Sequence, residues 1–147
     1  MEELRKEPVT AGLILLNILV FLIVEFTGSS QNTMHMLDCG AAYTPMIIQG
    51  GEYYRLFTCM FLHFGIYHIA NNMLVLFVLG QRLEPVVGKI KFILIYLLGG
   101  LGVCEGSCRY RRTIEELEGF RESGGEGRKA CFCLIFTGLF SSISKLI

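Results

Sequence analysis

The chain has 147 residues, of which 52% are hydrophobic, and its mean hydropathy is +0.53. This composition is too apolar for an ordinary soluble domain of that length, so it predicts a small membrane protein. Its 13 basic and 13 acidic residues balance to a net charge of zero. The charge balance therefore gives no indication of a nucleic acid or an acidic molecule as a partner.

The first predicted element is a membrane helix over residues 9–26. The charged start, which contains Arg5 and Lys6, is followed by Pro8, and proline suits the first turn of a helix. The apolar run is about the length that crosses ~30 Å of hydrocarbon. A cleaved signal peptide is the competing interpretation, but Val24-Glu25-Phe26 is a poor cleavage site because its residues are large or charged.

Residues 27–56 differ in composition from the first helix. They begin with the polar run 28–32, contain the pair Gly50-Gly51, and carry few charges. Such a segment cannot span a membrane, and its methionines and tyrosines favour a loop that lies partly in the membrane interface. We expect His35 to be a solvated loop residue without a functional role.

Two further membrane helices are predicted, at residues 67–83 and 90–103. The residues between them, 84–89, contain Pro85 and Gly88 and predict a short turn. Gly99, Gly100 and Gly102 would let a neighbouring helix approach closely, as small residues do in membrane helices. A dinucleotide site at these glycines is disfavoured because no strand-turn-helix pattern surrounds them.

The distribution of basic residues predicts the orientation of the chain. Arg5 and Lys6 precede the first helix, and a second basic group, Arg82, Lys89 and Lys91, surrounds the turn between the next two helices. The first loop contains almost no basic residue before Arg55. The positive-inside rule therefore places the N-terminus and this turn in the cytoplasm.

Three polar residues share one face of the second predicted helix. Positions four apart along it are His68, Asn72, Leu76, Gly80 and Glu84, and they lie along one slowly drifting helix face. An ionisable side chain in a membrane helix costs roughly 2.5–3.5 kcal/mol, so retained ones usually have a use. A His and an Asn one turn apart could donate hydrogen bonds to a developing oxyanion. They could equally link helices, and spacing alone leaves both interpretations open.

Several short motifs surround this helix, and together they resemble one family. They read Tyr54-Arg55-x-x-Thr58, then Phe61-x-His63-Phe64, then His68-x-x-x-Asn72, with Gly80 and Glu84 following. This series resembles the first conserved half of the rhomboid intramembrane serine proteases. The resemblance covers roughly Arg5 to Val103. It implies an all-α membrane protein, a partial rhomboid-like bundle with about three to four transmembrane helices.

The resemblance also implies roles for individual residues. His68 and Asn72 match the pair that belongs to the oxyanion hole. Tyr54 and Arg55 match an aromatic-arginine pair that structures the first extramembrane loop, His63 matches a structural histidine, and Glu84 matches a carboxylate that ties that loop to the helices. Cys59 is a departure, because the family often has a histidine there.

Residues 104–147 do not continue the pattern. Twelve of the 25 residues from 105 to 129 are Glu, Arg or Lys, although the third helix should deliver them to the outside. Either the third helix does not insert stably, or the segment is not the continuation for which the earlier part was built. The final apolar stretch, residues 130–147, is short for a fourth span, and we interpret it as structural filler.

The same segment lacks the expected catalytic motifs. A rhomboid should show Gly-x-Ser-Gly, whose serine is the nucleophile, and later a histidine base. The sequence has no such motif and no histidine after His68. We predict that the chain as written does not cleave, and a frameshift or a truncated gene would produce this loss of pattern.

Three functions remain open from the sequence. The first is a rhomboid-family relative of serine endopeptidases that cleave transmembrane substrates; the others are a noncatalytic binder of membrane helices and a truncated, nonfunctional product. The expected partners are transmembrane proteins and the lipid bilayer. No cofactor is predicted, and no metal, because the spacings of Cys104, Cys108, Cys131 and Cys133 fit no familiar zinc site.

Overall fold

The computed structural model describes residues 7–102, and every regular element in that range is a helix. The elements are α1 (Pro8–Thr27), α2 (Thr33–Asp38), α3 (Thr44–Ile48), α4 (Arg55–Thr58), α5 (Ile66–Val87) and α6, residues 89–102. The all-α prediction is therefore confirmed for this range. The predicted tail, residues 104–147, and the last position of the third predicted helix, Val103, lie outside the described residues.

Helix α1 contains the predicted span 9–26 and has Pro8 in its first turn, where the missing N–H costs nothing. Most of its surface is apolar and exposed. Within residues 7–102, α1 is the one helix that meets the length and hydropathy criteria for a membrane span. The prediction named three to four such helices; α1 is the one that residues 7–102 show, and the further spans stay a prediction.

Helix α5 extends past its predicted end at Leu83, so the predicted turn at 84–89 is wrong in part. Pro85 lies inside the last turn of α5, and the helix ends at Gly88, whose φ is +84°. A proline so close to a helix end removes a single backbone bond, whereas a left-handed φ is a conformation that glycine adopts readily. Gly88 is therefore the residue that separates α5 from α6.

The segment predicted as loop 27–56 contains α2, α3 and the first residues of α4. Asn32 explains why α2 begins where it does, because its Oδ1 accepts the N–H groups of Met34 at 3.0 Å and His35 at 3.3 Å. Asparagine at this position is a strong helix cap. The signal was available in the sequence, but the helix is too short to show an apolar period.

The core lies between α1, α5, α6 and the α4 region. Its most buried members are Ala42, Ile47, Cys59, Met60, Leu76, Leu79, Phe92 and Tyr96. Helices α1 and α5 approach closely at Gly80, where an added Cβ would lie 2.8 Å from the Cβ of Thr10 and closer still to its Oγ1 and Cγ2. The Thr10 hydroxyl is hydrogen-bonded to Glu84, so this side chain is not free to move aside.

We expect Gly80→Ala to lower the free energy of unfolding by about 2–3 kcal/mol, because the added methyl group overpacks a close helix contact. Gly12→Ala is the matched control, since nothing lies within 4 Å of a Cβ at that helical position. It should be neutral or stabilising by up to about 1 kcal/mol. Unfolding of both variants in mixed micelles measures the difference, and equal stabilities would contradict the close contact.

Candidate functional site

Arg55 fixes the first loop from the inside. Its Nη1 donates to the backbone oxygens of Leu37 at 2.6 Å and Ala41 at 3.2 Å, and its Nε donates to the Glu52 carboxylate at 2.6 Å. The side chain is buried, with 6% of its surface exposed. The Tyr54 hydroxyl also donates to Glu52, at 2.9 Å. Because of these two donors, the pKa of Glu52 lies below its ordinary value. Arg55 thus stands where it can hold the loop, and its role stays a prediction.

Thr58 and Cys59 complete the loop contacts. The Thr58 hydroxyl donates to the backbone oxygen of Gly40 at 2.6 Å, and Gly40 has a φ of +96°. Cys59, at the position where the family often has histidine, is buried in the core, and its Sγ donates to the backbone oxygen of Leu56 at 3.3 Å. It therefore behaves here as a small hydrophobic residue.

The two residues assigned to the oxyanion hole stand in the first two turns of α5. His68 Nδ1 accepts the Phe64 N–H at 3.4 Å, so the proton of a neutral ring is assigned to Nε2. Asn72 is one turn further on, and 5% of its surface is exposed. Its Nδ2 atom is buried and has no hydrogen-bond partner within residues 7–102.

Among residues 7–102, the Asn72 amide is thus a buried hydrogen-bond donor without an acceptor. A buried N–H left without a partner costs about 1–3 kcal/mol, so such groups are uncommon and call for an explanation. An oxyanion that forms during acyl transfer is one acceptor that such a donor can serve. His68 and Asn72 share a helix face because they are four residues apart.

His63 lies against His68, just before α5. Its Nδ1 is 3.1 Å from the backbone oxygen of Phe61, and the two imidazole rings are 5.4 Å apart with an interplanar angle of 65°. Burial, with a smaller contribution from His68, lowers the pKa of His63 to about 4. The ring is therefore neutral at physiological pH and donates from Nδ1.

This shift predicts that acid destabilises the fold. The folded pKa of His63 is about 4 against an ordinary 6.5, so the unfolded chain binds the proton first and stability falls as pH drops from 6.5 towards 4. Between pH 8 and pH 5 we expect a loss of about 2 kcal/mol. Unfolding at several pH values measures it. In His63→Gln the slope over this range should flatten, and an unchanged slope would assign the loss to other groups.

Glu84 is at the other end of α5, where it hydrogen-bonds to the first turn of α1. Its carboxylate accepts the N–H groups of Val9 at 3.0 Å and Thr10 at 2.8 Å, and the Thr10 hydroxyl at 2.7 Å. These three hydrogen bonds of Glu84 reach α1, and the tie to the loop that the resemblance implies stays a prediction. At 1.5 Å per residue, Glu84 lies about 24 Å along α5 from His68, so it reaches the start of α1.

The His35 ring makes contacts that the sequence did not predict. Its Nε2 is 3.1 Å from the backbone oxygen of Val24 and 3.6 Å from Cys39 Sγ. The expectation of a solvated loop residue is wrong, because His35 lies in α2 and is partly buried against the end of α1. Burial raises the pKa of the Cys39 thiol, so this pair does not favour a thiolate.

Asn17 is a further buried polar residue, fully enclosed in the middle of α1. Its Nδ2 donates to the backbone oxygen of Leu13 at 2.7 Å and to the Tyr96 hydroxyl at 3.0 Å. An asparagine inside an apolar helix was the available signal, but Tyr96 is 79 positions away. Asn17 links α1 to α6 and lies apart from His68 and Asn72 along the chain.

The described residues contain no group of three or more His, Cys, Asp or Glu side chains that could hold a metal ion. The four cysteines considered in the sequence, Cys104, Cys108, Cys131 and Cys133, lie outside residues 7–102. Within residues 7–102, the candidate site consists of His68 and Asn72 on α5, His63 beside His68, and the loop that Arg55 holds.

Comparison with known proteins finds similarity to the Rhomboid domain and to proteins named after it. Residues 50–115 match the model of the Rhomboid domain. Rhomboid protease GluP of Bacillus subtilis (strain 168) is 41% identical over 96 residues, which are 65% of this chain and 19% of that protein. RHOMBOID-like protein 6, mitochondrial, of Arabidopsis thaliana is 43% identical over 77 residues, which are 52% of this chain and 24% of that protein.

RHOMBOID-like protein 1 of the same plant is 39% identical over 75 residues, which are 51% of this chain and 19% of that protein. The chain thus spans 19–24% of the length of these relatives. No solved structure matches it at a significant level.

Proposed function

We propose that this chain, which belongs to the rhomboid family, supplies the oxyanion-binding side of an intramembrane serine endopeptidase site. The substrates of such a site are transmembrane proteins in the bilayer. His68 and Asn72 donate to the oxyanion, Tyr54, Arg55 and His63 support the loop beside them, and Glu84 holds α5 to α1. No cofactor is needed for this chemistry.

One observation carries the proposal: the buried Asn72 amide nitrogen has no acceptor among the described residues. A donor held ready in a dry site is stronger than the same donor in water and does not reorganise during the reaction. Within residues 7–102, no neighbouring helix offers Asn72 Nδ2 the acceptor that a residue linking those helices would have. The His68 Nε2–H, one turn away, is the second donor.

The rhomboid family is a family of integral membrane proteins, and α1 has the length and composition of a membrane span. We propose that α5 and α6 span as well, with the polar face of α5 turned towards the protein. The N-terminus then lies in the cytoplasm, because Arg5 and Lys6 precede α1 and Lys89 and Lys91 follow α5.

The nucleophile and its base are the missing half of the mechanism. In a complete site, a serine Oγ attacks the scissile carbonyl while a histidine takes its proton, and the α5 donors stabilise the oxyanion that forms. None of the 147 residues stands in a Gly-x-Ser-Gly motif, and no histidine follows His68. We therefore expect these 147 residues alone not to cleave.

A chimera tests the proposal. Residues 1–102 are joined to the C-terminal remainder of Bacillus subtilis GluP, which by family resemblance brings the serine and the histidine. The chimera, reconstituted in liposomes, should cleave a single-span reporter, whereas the 147-residue chain and the GluP remainder alone should not. An inserted but inactive chimera, or cleavage by the 147-residue chain, would contradict the proposal.

The absence of the serine motif favours one alternative, a noncatalytic binder of membrane helices. Photo-crosslinking of the 147-residue chain to single-span proteins distinguishes the two. Crosslinks that persist in His68→Ala and Asn72→Ala would favour a binder that does not use the donors. Loss of crosslinks in both variants would count against it.

A further inference from the structure

Helix α5 begins without a cap of its own. Its N-cap residue, Gly65, has no side chain and a φ of +79°, a conformation that other residues rarely adopt. The Gly65 N–H instead donates to the hydroxyl of Ser30 at 3.2 Å, from 35 positions upstream. Ser30 is buried, with 1% of its surface exposed. The first loop therefore supplies the hydrogen bond that starts the helix of the site.

Ser30 is itself held in place by α1. Its backbone N–H donates to a carboxylate oxygen of Glu25 at 3.0 Å, in the last turn of α1. Glu25 lies at the surface, so its charge is screened by solvent. Two hydrogen bonds thus connect Glu25 in α1 to Ser30, and Ser30 to Gly65 at the start of α5.

Ser30 and His68 accept the N–H groups of two consecutive residues, Gly65 and Phe64. His68 is the third residue of α5, the position whose side chain often reaches back to the N-cap N–H. Here Ser30 already accepts that N–H, and His68 Nδ1 accepts the N–H of Phe64, one residue earlier, at 3.4 Å. Because Nδ1 is an acceptor, the proton of the neutral ring is on Nε2.

We propose that Ser30 is a positioning residue for His68: by taking the Gly65 N–H, it fixes the ring of His68 with its proton on Nε2. The inference rests on the proposed function, in which Nε2–H is a donor to the oxyanion. Without the Ser30 hydroxyl, the N–H groups of Gly65 and Phe64 compete for His68 Nδ1, and the ring turns. Asn72 lies in the next turn and keeps its place.

The test uses the full 147-residue chain in micelles with ¹⁵N-labelled histidine and backbone. Ser30→Thr and Ser30→Val form a matched pair, because threonine and valine have the same shape and differ in the hydroxyl. Threonine should preserve the Nε2–H pattern of His68. Valine should give a mixed tautomer pattern and exchange of the Gly65 amide about tenfold faster, the size expected for loss of one cap.

Ser29→Ala is the control, because the Ser29 hydroxyl accepts the Gln31 N–H at 3.2 Å within the loop. It should leave His68 and Gly65 unchanged. If the threonine and valine variants have the same His68 pattern and the same Gly65 exchange, the proposal is overturned. The same holds if valine shifts the Asn72 side-chain amide as much as the His68 ring, since Ser30 would then act on the whole helix.

The result is separable from the proposed function. An inactive chimera together with a clear difference between threonine and valine would reject the oxyanion role and leave the positioning of His68 in place. An active chimera without that difference would support the proposed function and reject the positioning role of Ser30.

Discussion

Replacing Asn72 by alanine in the chimera is expected to lower kcat for reporter cleavage by about 10²–10³-fold, the effect of removing one oxyanion donor. KM should change little, because the interaction is made mainly in the transition state. The physical basis is the Asn72 Nδ2 atom, which is buried without an acceptor among residues 7–102. Cleavage kinetics over a range of reporter concentrations in liposomes measure the two parameters separately.

Asn71→Ala is the matched control, since Asn71 is the same residue type one position earlier and is exposed on α5. Its kcat should stay within about twofold of the parent chimera, as for a surface substitution. If Asn71→Ala and Asn72→Ala reduce kcat equally, the effect belongs to helix stability and not to a donor. If Asn72→Ala raises KM alone, Asn72 binds the substrate in its ground state.

The local features of the chain were readable from the sequence. The position of α1 follows from an apolar run that only Thr10, Asn17 and Glu25 interrupt. The shared face of His68 and Asn72 follows from their spacing of four. The end of α5 was not readable, because proline and glycine both indicate a turn and only Gly88 makes one. The short helix α2 was missed because it is set by the cap at Asn32 and not by periodicity.

The hydrogen-bond partners of the buried polar groups could not be predicted from the sequence. Ser30 contacts Gly65 across 35 positions, and Glu84 contacts Thr10 across 74. Such pairs depend on how α1 and α5 lie against one another, which no local pattern encodes. The family resemblance singled out Glu84 and implied a contact with the loop. Because α5 is long, Glu84 lies at its C-terminal end, away from the loop residues that precede α5.

Glu84→Ala is expected to lower the free energy of unfolding by about 3–5 kcal/mol, because three donors lose their acceptor and each costs about 1–3 kcal/mol when left buried. These donors are the N–H groups of Val9 and Thr10 and the Thr10 hydroxyl. Glu84→Gln should cost less, about 1–3 kcal/mol, since the amide oxygen still accepts while its NH₂ group faces a donor. Unfolding of the 147-residue chain in mixed micelles measures both.

Arg82→Ala is the control, because Arg82 is exposed two positions earlier on α5, and its effect should stay within about 0.5 kcal/mol. A second test combines Glu84→Ala with Thr10→Val. The two residues share a hydrogen bond, so their effects should fall short of additive by about 0.5–3 kcal/mol. Strict additivity, or an order in which Glu84→Gln costs as much as Glu84→Ala, would contradict this arrangement, in which one carboxylate of α5 caps the first turn of α1.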